Sequence, residues 1–175
     1  MTETELIRAL SESQRFGMLG ARPIPDVIAH SESFVDALID VHGVVIDLGT
    51  GGGVPGLVIA ARRPDLQLVL VDRRQTRTDH VQRLAMRLGC HRVTVWTGDA
   101  TQATQYRGMA DAVVSRGFGP PNDLLAAAGP LLTAGGVLIV SNPPTVSDRW
   151  TPDLCRHYGF APPTTAGAVT ILPRM

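Results

Sequence analysis

The sequence predicts an α/β domain: a mostly parallel sheet with helices on both faces, closed by a C-terminal antiparallel strand. Three observations predict it. Short apolar, β-branched runs alternate with helical stretches along the chain. The stretch Val44–Gly56, V-V-I-D-L-G-T-G-G-G-V-P-G, joins one such run to a glycine turn and a new apolar stretch. Strand, glycine turn and helix form the front half of a nucleotide-binding βαβ unit. An acid closes each of the first two runs, Asp47 and, 25 residues later, Asp72.

Length and composition bound the answer. A chain of 175 residues with 44% hydrophobic residues is one domain with a full core. The net charge is zero, so no global field draws the chain to nucleic acid or membrane, and any such contact is a local patch. All 16 basic residues are Arg. Cys90 and Cys155 lie far apart, which argues against a disulfide or a zinc site. The acidic start M-T-E-T-E-L is no signal peptide, and no apolar run reaches the length of a membrane span. These features set a soluble, cytoplasmic chain as the expectation.

The elements follow in order. Glu3–Met18 carries Leu6, Ile7 and Leu10 at helical spacing, and Gly17 and Gly20 end that helix. Pro25 suits the first turn of a second helix, which His42-Gly43 stops. Residues 1–43 thus read as an N-terminal helical segment packed on the domain formed by 44–175. Val44–Ile46 is the first strand, and Leu57–Ala61 opens the crossover helix. Gln67–Val71 is the second strand. Gln75–Leu88 is a helix with Val81, Leu84, Ala85 and Leu88 on one stripe and Gly89 as its stop. Val93–Thr97 is the third strand, with Trp96 in the core, and Ala112–Val114 the fourth. Pro120-Pro121-Asn122 leads into a helix bearing Leu124, Leu125, Leu131 and Leu132. Gly135-Gly136 turns into the fifth strand, Val137–Val140, and Ser141-Asn142-Pro143-Pro144 ends it. Asp148–Tyr158 reads as a helix, and Phe160–Thr164 and Ala168–Leu172 as a closing strand pair around Gly167.

The glycine turn admits two ligand classes. Gly51, Gly53 and Gly56 match the dinucleotide pattern G-x-G-x-x-G. Asp47–Gly53 also reads D-x-G-x-G-x-G, and an acid there suits a ligand with a positive amine and sulfonium better than a pyrophosphate, which it would repel. S-adenosyl-L-methionine therefore leads; a dinucleotide and a bare turn stay as alternatives. Asp72, at the tip of the neighbouring strand, either accepts the two hydroxyls of a ribose or caps a helix. Arg73, Arg74, Arg77, Arg83 and Arg87 include pairs four apart, which make either a phosphate-contacting stripe or a solvated face. The five His residues show no metal-ligand spacing, and His30 either lines the site or packs a helix.

From Val44 onward the chain resembles class I methyltransferases, whose fold is Rossmann-like. More closely, I-D-L-G-T-G-G-G-V-P-G-L, Asp72 with Arg77, and Ser115-Arg116-x-Phe118 followed by Asn122-Asp123 resemble the glucose-inhibited division protein B family, which methylates N7 of a guanine in 16S ribosomal RNA. Gly17-x-Leu19-Gly20 and His30 echo its upstream helices. The resemblance spans roughly residues 17–142. It implies a cofactor site built from Asp47, Gly49, Thr50, Gly51, Gly53, Pro55, Gly56, Asp72, Arg73, Asp99, Ala100 and Arg116. It makes Arg116 the substrate-side catalytic candidate, against an ion-pair role, and lets Phe118 stack on a base or pack in the core. An RNA partner would use the local patch Arg73, Arg74 and Arg77. Two departures stand out. The family's usual Lys before Arg77 is Thr76 here, and its Lys-Gly after the fifth strand is Ser141-Asn142. A small-molecule acceptor and a non-catalytic cofactor-binding protein are the rival functions.

Overall fold

A computed structural model describes residues 1–143 and 149–175. The element order is α1 (Glu3–Arg15), α2 (Ile24–Ala37), β1 (Val44–Leu48), α3 (Gly56–Arg62), β2 (Gln67–Asp72), α4 (Gln75–Arg87), β3 (Val93–Thr97), β4 (Ala110–Ser115), α5 (Pro121–Ala128), β5 (Leu132–Ser141), α6 (Pro152–His157), β6 (Thr164–Ala166) and β7 (Val169–Pro173). The seven strands run in the order β3-β2-β1-β4-β5-β7-β6. β1 to β5 pair in parallel, and β7 lies antiparallel to both β5 and β6. The expected parallel sheet with an antiparallel C-terminal closure is therefore the fold observed.

Alternate residues of each central strand feed opposite faces. Val45, Leu68, Leu70, Ala112 and Val114 pack with α1, α2, α3 and α4. Ile46, Leu48, Val69, Val71 and Val113 pack with α5 and α6. The apolar stripe of α4 is buried through Val81, Leu84 and Ala85. At the start of α1, Thr2 and Glu5 form a reciprocal capping box. No helix among the described residues is long and apolar enough to cross a membrane.

The differences from the expected elements have local causes. α1 ends three residues early, with Phe16 as its C-cap. Leu131 and Leu132 do not extend α5: Gly129-Pro130-Leu131 forms a 3₁₀ turn and Leu132 already begins β5. Pro130 has no amide proton to continue the α-helical ladder. Gly135 and Gly136 lie inside β5, where the register against β4 shifts between Ala110 and Ala112. Trp96 is half-buried and packs edge-on against Tyr106. Phe160 makes only an isolated bridge to Arg174, because Pro162 and Pro163 cannot donate to a ladder; β6 starts after them. α6 starts at Pro152, where Thr151 accepts from the Leu154 amide at 3.3 Å. The expected helix start at Asp148, and Pro144 of the turn after β5, lie outside the described residues.

Candidate functional site

The direction of strand progression reverses between β1 and β4, and at the carboxyl ends of such strands an open α/β sheet forms its ligand crevice. Every residue expected at the site sits on a turn at this edge or close to it.

The turn after β1 is fixed by backbone bonds to β2. The amides of Gly49 and Thr50 both donate to the Val71 carbonyl at 2.9 Å. Gly51 has φ of 57°, a conformation that costs a residue with a Cβ. Gly56 opens α3 against β2; a Cβ there would collide with Leu70 and stand 2.7 Å from Asp47 Oδ2. Behind the turn lies the end of α1: a Cβ on Gly52 would meet Leu19 at 2.8 Å and Ser13 at 3.1 Å.

The two strand-end acids have different surroundings. Asp47 is fully buried. Its Oδ2 accepts the Gly56 amide at 3.0 Å, while its Oδ1 and the buried Thr50 hydroxyl have no hydrogen-bond partner. Burial pushes the Asp47 carboxyl up to about 6, and the Asp72 charge adds to the rise. The nearby Thr50 hydroxyl, short of hydrogen-bond geometry, the Gly56 amide and the Arg116 charge oppose it. Asp72 lines the crevice at the tip of β2. Its Oδ2 accepts the Gly51 amide and its Oδ1 the Arg74 amide, both at 3.0 Å, and Arg77 lies 3.6 Å from Oδ2. A carboxylate has about four lone-pair sites, so acceptor capacity is left for a ligand's hydroxyls. Asp72 is not the N-cap of α4, which is Arg74.

Two cavities flank this edge. The first, about 490 Å³, is walled by Gly49, Asp72, Arg73, Asp99, Ala100 and Phe118, with Arg74, Arg77, Thr101, Gly117 and Asp123 also on its lining. Its size suits a nucleoside-sized ligand. Asp99 caps the turn Ala100–Gln102, accepting from the Thr101 amide at 2.9 Å and its hydroxyl at 2.7 Å; these bonds hold its carboxyl below the usual range. The second cavity, about 510 Å³, is lined by Arg22, His30, Arg116, Ser141, Asn142 and Gly167 among others. Here His30 Nε2 and Ser141 Oγ are 2.9 Å apart. Burial first, then the charges of Arg116 and Arg22, hold the His30 imidazole below its ordinary range. Burial and Arg22 likewise lower Arg116, and Asp47 pulls it back up.

Of the residues expected to hold a cofactor, the first cavity thus brings together Gly49, Asp72, Arg73, Asp99 and Ala100. Asp47, Thr50, Gly51, Gly53, Pro55 and Gly56 form the turn behind its wall and are not on its lining. Arg116 lines the second cavity instead. Of the arginine stripe, Arg73, Arg74 and Arg77 reach the first cavity, whereas Arg87 is bound to Glu12 at 2.6 Å. Arg22 and Thr101 were not expected at the site: Arg22 sits in a Pro-rich break without periodicity, and Thr101 in a turn of three residues. Among the described residues no group of three or more His, Cys, Asp or Glu is placed to hold a metal ion.

The profile of the family described as rRNA small subunit methyltransferase G matches residues 6–148. A Deinococcus radiodurans protein named ribosomal RNA small subunit methyltransferase G is 34% identical over 149 residues, which cover 79% of this chain and 57% of that protein. A protein of the same name from Nocardioides sp. is 32% identical over 153 residues, covering 84% and 60%. The chain therefore matches little more than half the length of these relatives. Among solved structures, an O-methyltransferase family protein from Burkholderia thailandensis superposes with a TM-score of 0.63 at 20% identity, covering 84% of this chain and 56% of that one. A SAM-dependent methyltransferase from Aquifex aeolicus does so with 0.62 at 14% identity, covering 82% and 87%. At these identities the two structures speak for the fold alone.

Proposed function

The chain belongs to the rRNA small subunit methyltransferase G family, and on that premise we propose that it transfers a methyl group from S-adenosyl-L-methionine to N7 of a guanine in RNA of the 16S ribosomal kind. The observation that carries this reading is the convergence of Gly49 from the glycine turn, the Asp72 carboxylate and the Asp99-Ala100 corner on one nucleoside-sized cavity.

The residues fit that cofactor. Asp72 has acceptor capacity for ribose hydroxyls, Gly49 presents backbone without a side chain, and Asp99 and Ala100 line the same cavity. Asp47 acts from behind the turn, through its negative charge and through its bond to the Gly56 amide. When bound, the cofactor supplies an electrophilic methyl on a sulfonium. The rest is positioning and electrostatics. Guanine N7 exposes a lone pair, so no side chain has to remove a proton, and a neutral His30 is compatible with that. Arg116 stands on the acceptor side, where a guanidinium fork can orient a base edge or a phosphate. Arg73, Arg74 and Arg77, on the lining of the first cavity, are the local cations that would meet RNA phosphates, Arg77 lying 3.6 Å from Asp72 Oδ2 as well.

A small-molecule acceptor is the second reading, favoured by the zero net charge and by Ser141 where the resemblance implies a Lys. The test is transfer of radiolabelled methyl from the cofactor to an RNA pool lacking other modifications, against a metabolite extract. Label in RNA at guanine N7 supports the first reading and label only in small molecules the second. Cofactor binding with label in neither pool points to a non-catalytic binding protein.

A further inference from the structure

The second cavity holds two guanidiniums, those of Arg22 and Arg116, and no carboxylate among the described residues of its lining. Neither forms an ion pair among the described residues. Asp47 acts on Arg116 but is sealed beneath the glycine turn, outside the cavity. Two cations lining one pocket repel each other, and an anion bound between them would relieve that cost.

The arrangement is anchored from both sides. Arg22 lies in the link between α1 and α2, and Gln14 Nε2 donates to the Arg22 carbonyl at 2.8 Å and to the Gly20 carbonyl at 2.6 Å. Ile24, two residues on, is buried. Arg116 follows Ser115, whose hydroxyl donates to the Leu48 carbonyl at 2.9 Å. Between them, His30 and Ser141 hold each other, and neither brings a charge of its own while the imidazole is neutral. Two guanidinium forks present more donors than one carboxylate can accept but suit the oxygens of a phosphate.

We infer that this cavity is a phosphate site for the acceptor, gripped by Arg116 from β4 and by Arg22 from the N-terminal segment. The inference rests on the methyltransferase reading and specifies its acceptor as phosphorylated. It also makes the segment before β1 part of the acceptor site.

Calorimetry on the full chain tests it with guanosine, guanosine 5′-monophosphate and a guanosine-containing dinucleoside phosphate whose only phosphate is a diester. The phosphorylated probe should bind at least about tenfold tighter than guanosine, as expected for hydrogen bonds to a charged group. Arg22→Gln, and separately Arg116→Gln, should erase that preference. A preference shown by the diester as well identifies a polynucleotide backbone as the source; a preference confined to the monoester identifies a free nucleotide. Either supports the site. Equal binding of guanosine and its monophosphate, no binding of the monophosphate, or a preference that survives Arg22→Gln in a folded variant would overturn it. S-adenosyl-L-methionine is titrated in parallel. If it binds while the phosphate preference is absent, the phosphate site alone fails; if it does not bind while the preference is present, the cofactor reading fails.

Discussion

Asp72 Oδ2 accepts a hydrogen bond from the Gly51 amide at 3.0 Å, tying the tip of β2 to the glycine turn that follows β1. The same carboxylate accepts from the Arg74 amide at 3.0 Å. It is thus a structural clasp on the crevice wall as well as a ligand candidate. Asp72→Ala leaves two backbone donors without their acceptor and Arg77 without its partner. We expect a loss of about 1–3 kcal/mol in unfolding free energy and weaker S-adenosyl-L-methionine binding together. Asp72→Asn, which keeps an acceptor oxygen, should recover more stability than affinity. Denaturant unfolding and calorimetry on both variants check this; an Ala variant of unchanged stability would refute the clasp.

Asp47 sets a pH dependence of opposite sign to that of an ion-paired carboxylate. Its folded value, about 6, lies above the unfolded reference of 3.8, so the folded state holds the proton more tightly. Its contribution is full below 3.8 and is lost as pH rises through about 6, a cost approaching about 3 kcal/mol at neutral pH. Asp47→Asn keeps an acceptor for the Gly56 amide and offers the Thr50 hydroxyl a donor. The variant should gain about 1–3 kcal/mol at pH 7.5 and lose this dependence between pH 4 and 6, while binding the cofactor less well. Unfolding curves across that range decide: a variant no more stable at pH 7.5 than at pH 4, relative to wild type, would rule the mechanism out.

The buried contact between Ser13 of α1 and His80 of α4 should be acid-sensitive. Ser13 Oγ and His80 Nε2 are 2.9 Å apart and buried, and Ser13 also backs the glycine turn. Burial holds His80 below its ordinary range; Glu12, 4.0 Å away, opposes this, while Arg83 and Arg87 reinforce it. A depressed folded value means stability present above 6.5 and lost as pH falls through that folded value. His80→Gln, still a partner for Ser13, should reduce the loss of stability on acidification from pH 7 to 5. Ser13→Val should cost about 1–3 kcal/mol by stranding the imidazole. Thermal melts at the two pH values measure both, and an unaltered acid response in His80→Gln would assign the titration elsewhere.

Much of this site is written locally in the chain, and part of it is not. The β1 turn, β2 and α4 are legible because their signals are local: β-branched runs, glycines at fixed offsets, and a stripe closed by Gly89. The position of Asp72 at a strand tip follows from the same regularity. The depth of Asp47 does not, since burial beneath the turn depends on Leu70 and Gly56 packing from other elements. Nor does the meeting of His30 with Ser141, 111 residues apart. Leu131 and Leu132 look helical by periodicity until Pro130 is given its full weight. The strand expected at Phe160 fails for the same reason at Pro162 and Pro163.

Arg116 bears on chemistry rather than stability. β4 delivers it to the second cavity, away from the lining of the first. It is half-buried, and its charge acts on the carboxylate of Asp47 behind the turn and on His30 across the pocket. Lys in its place would keep the charge but lose the planar fork and shorten its reach. Cofactor affinity should then change by no more than a few-fold. Methyl transfer depends on the acceptor's orientation at the methyl, and a misplacement of about 1 Å costs on the order of 10²-fold. We therefore expect Arg116→Lys to bind S-adenosyl-L-methionine nearly as wild type and to transfer methyl about 10²-fold more slowly. Single-turnover transfer with saturating cofactor, alongside calorimetry, separates the two effects. Normal transfer would remove Arg116 from the acceptor side, and a folded variant that loses the cofactor would move the residue to the cofactor site.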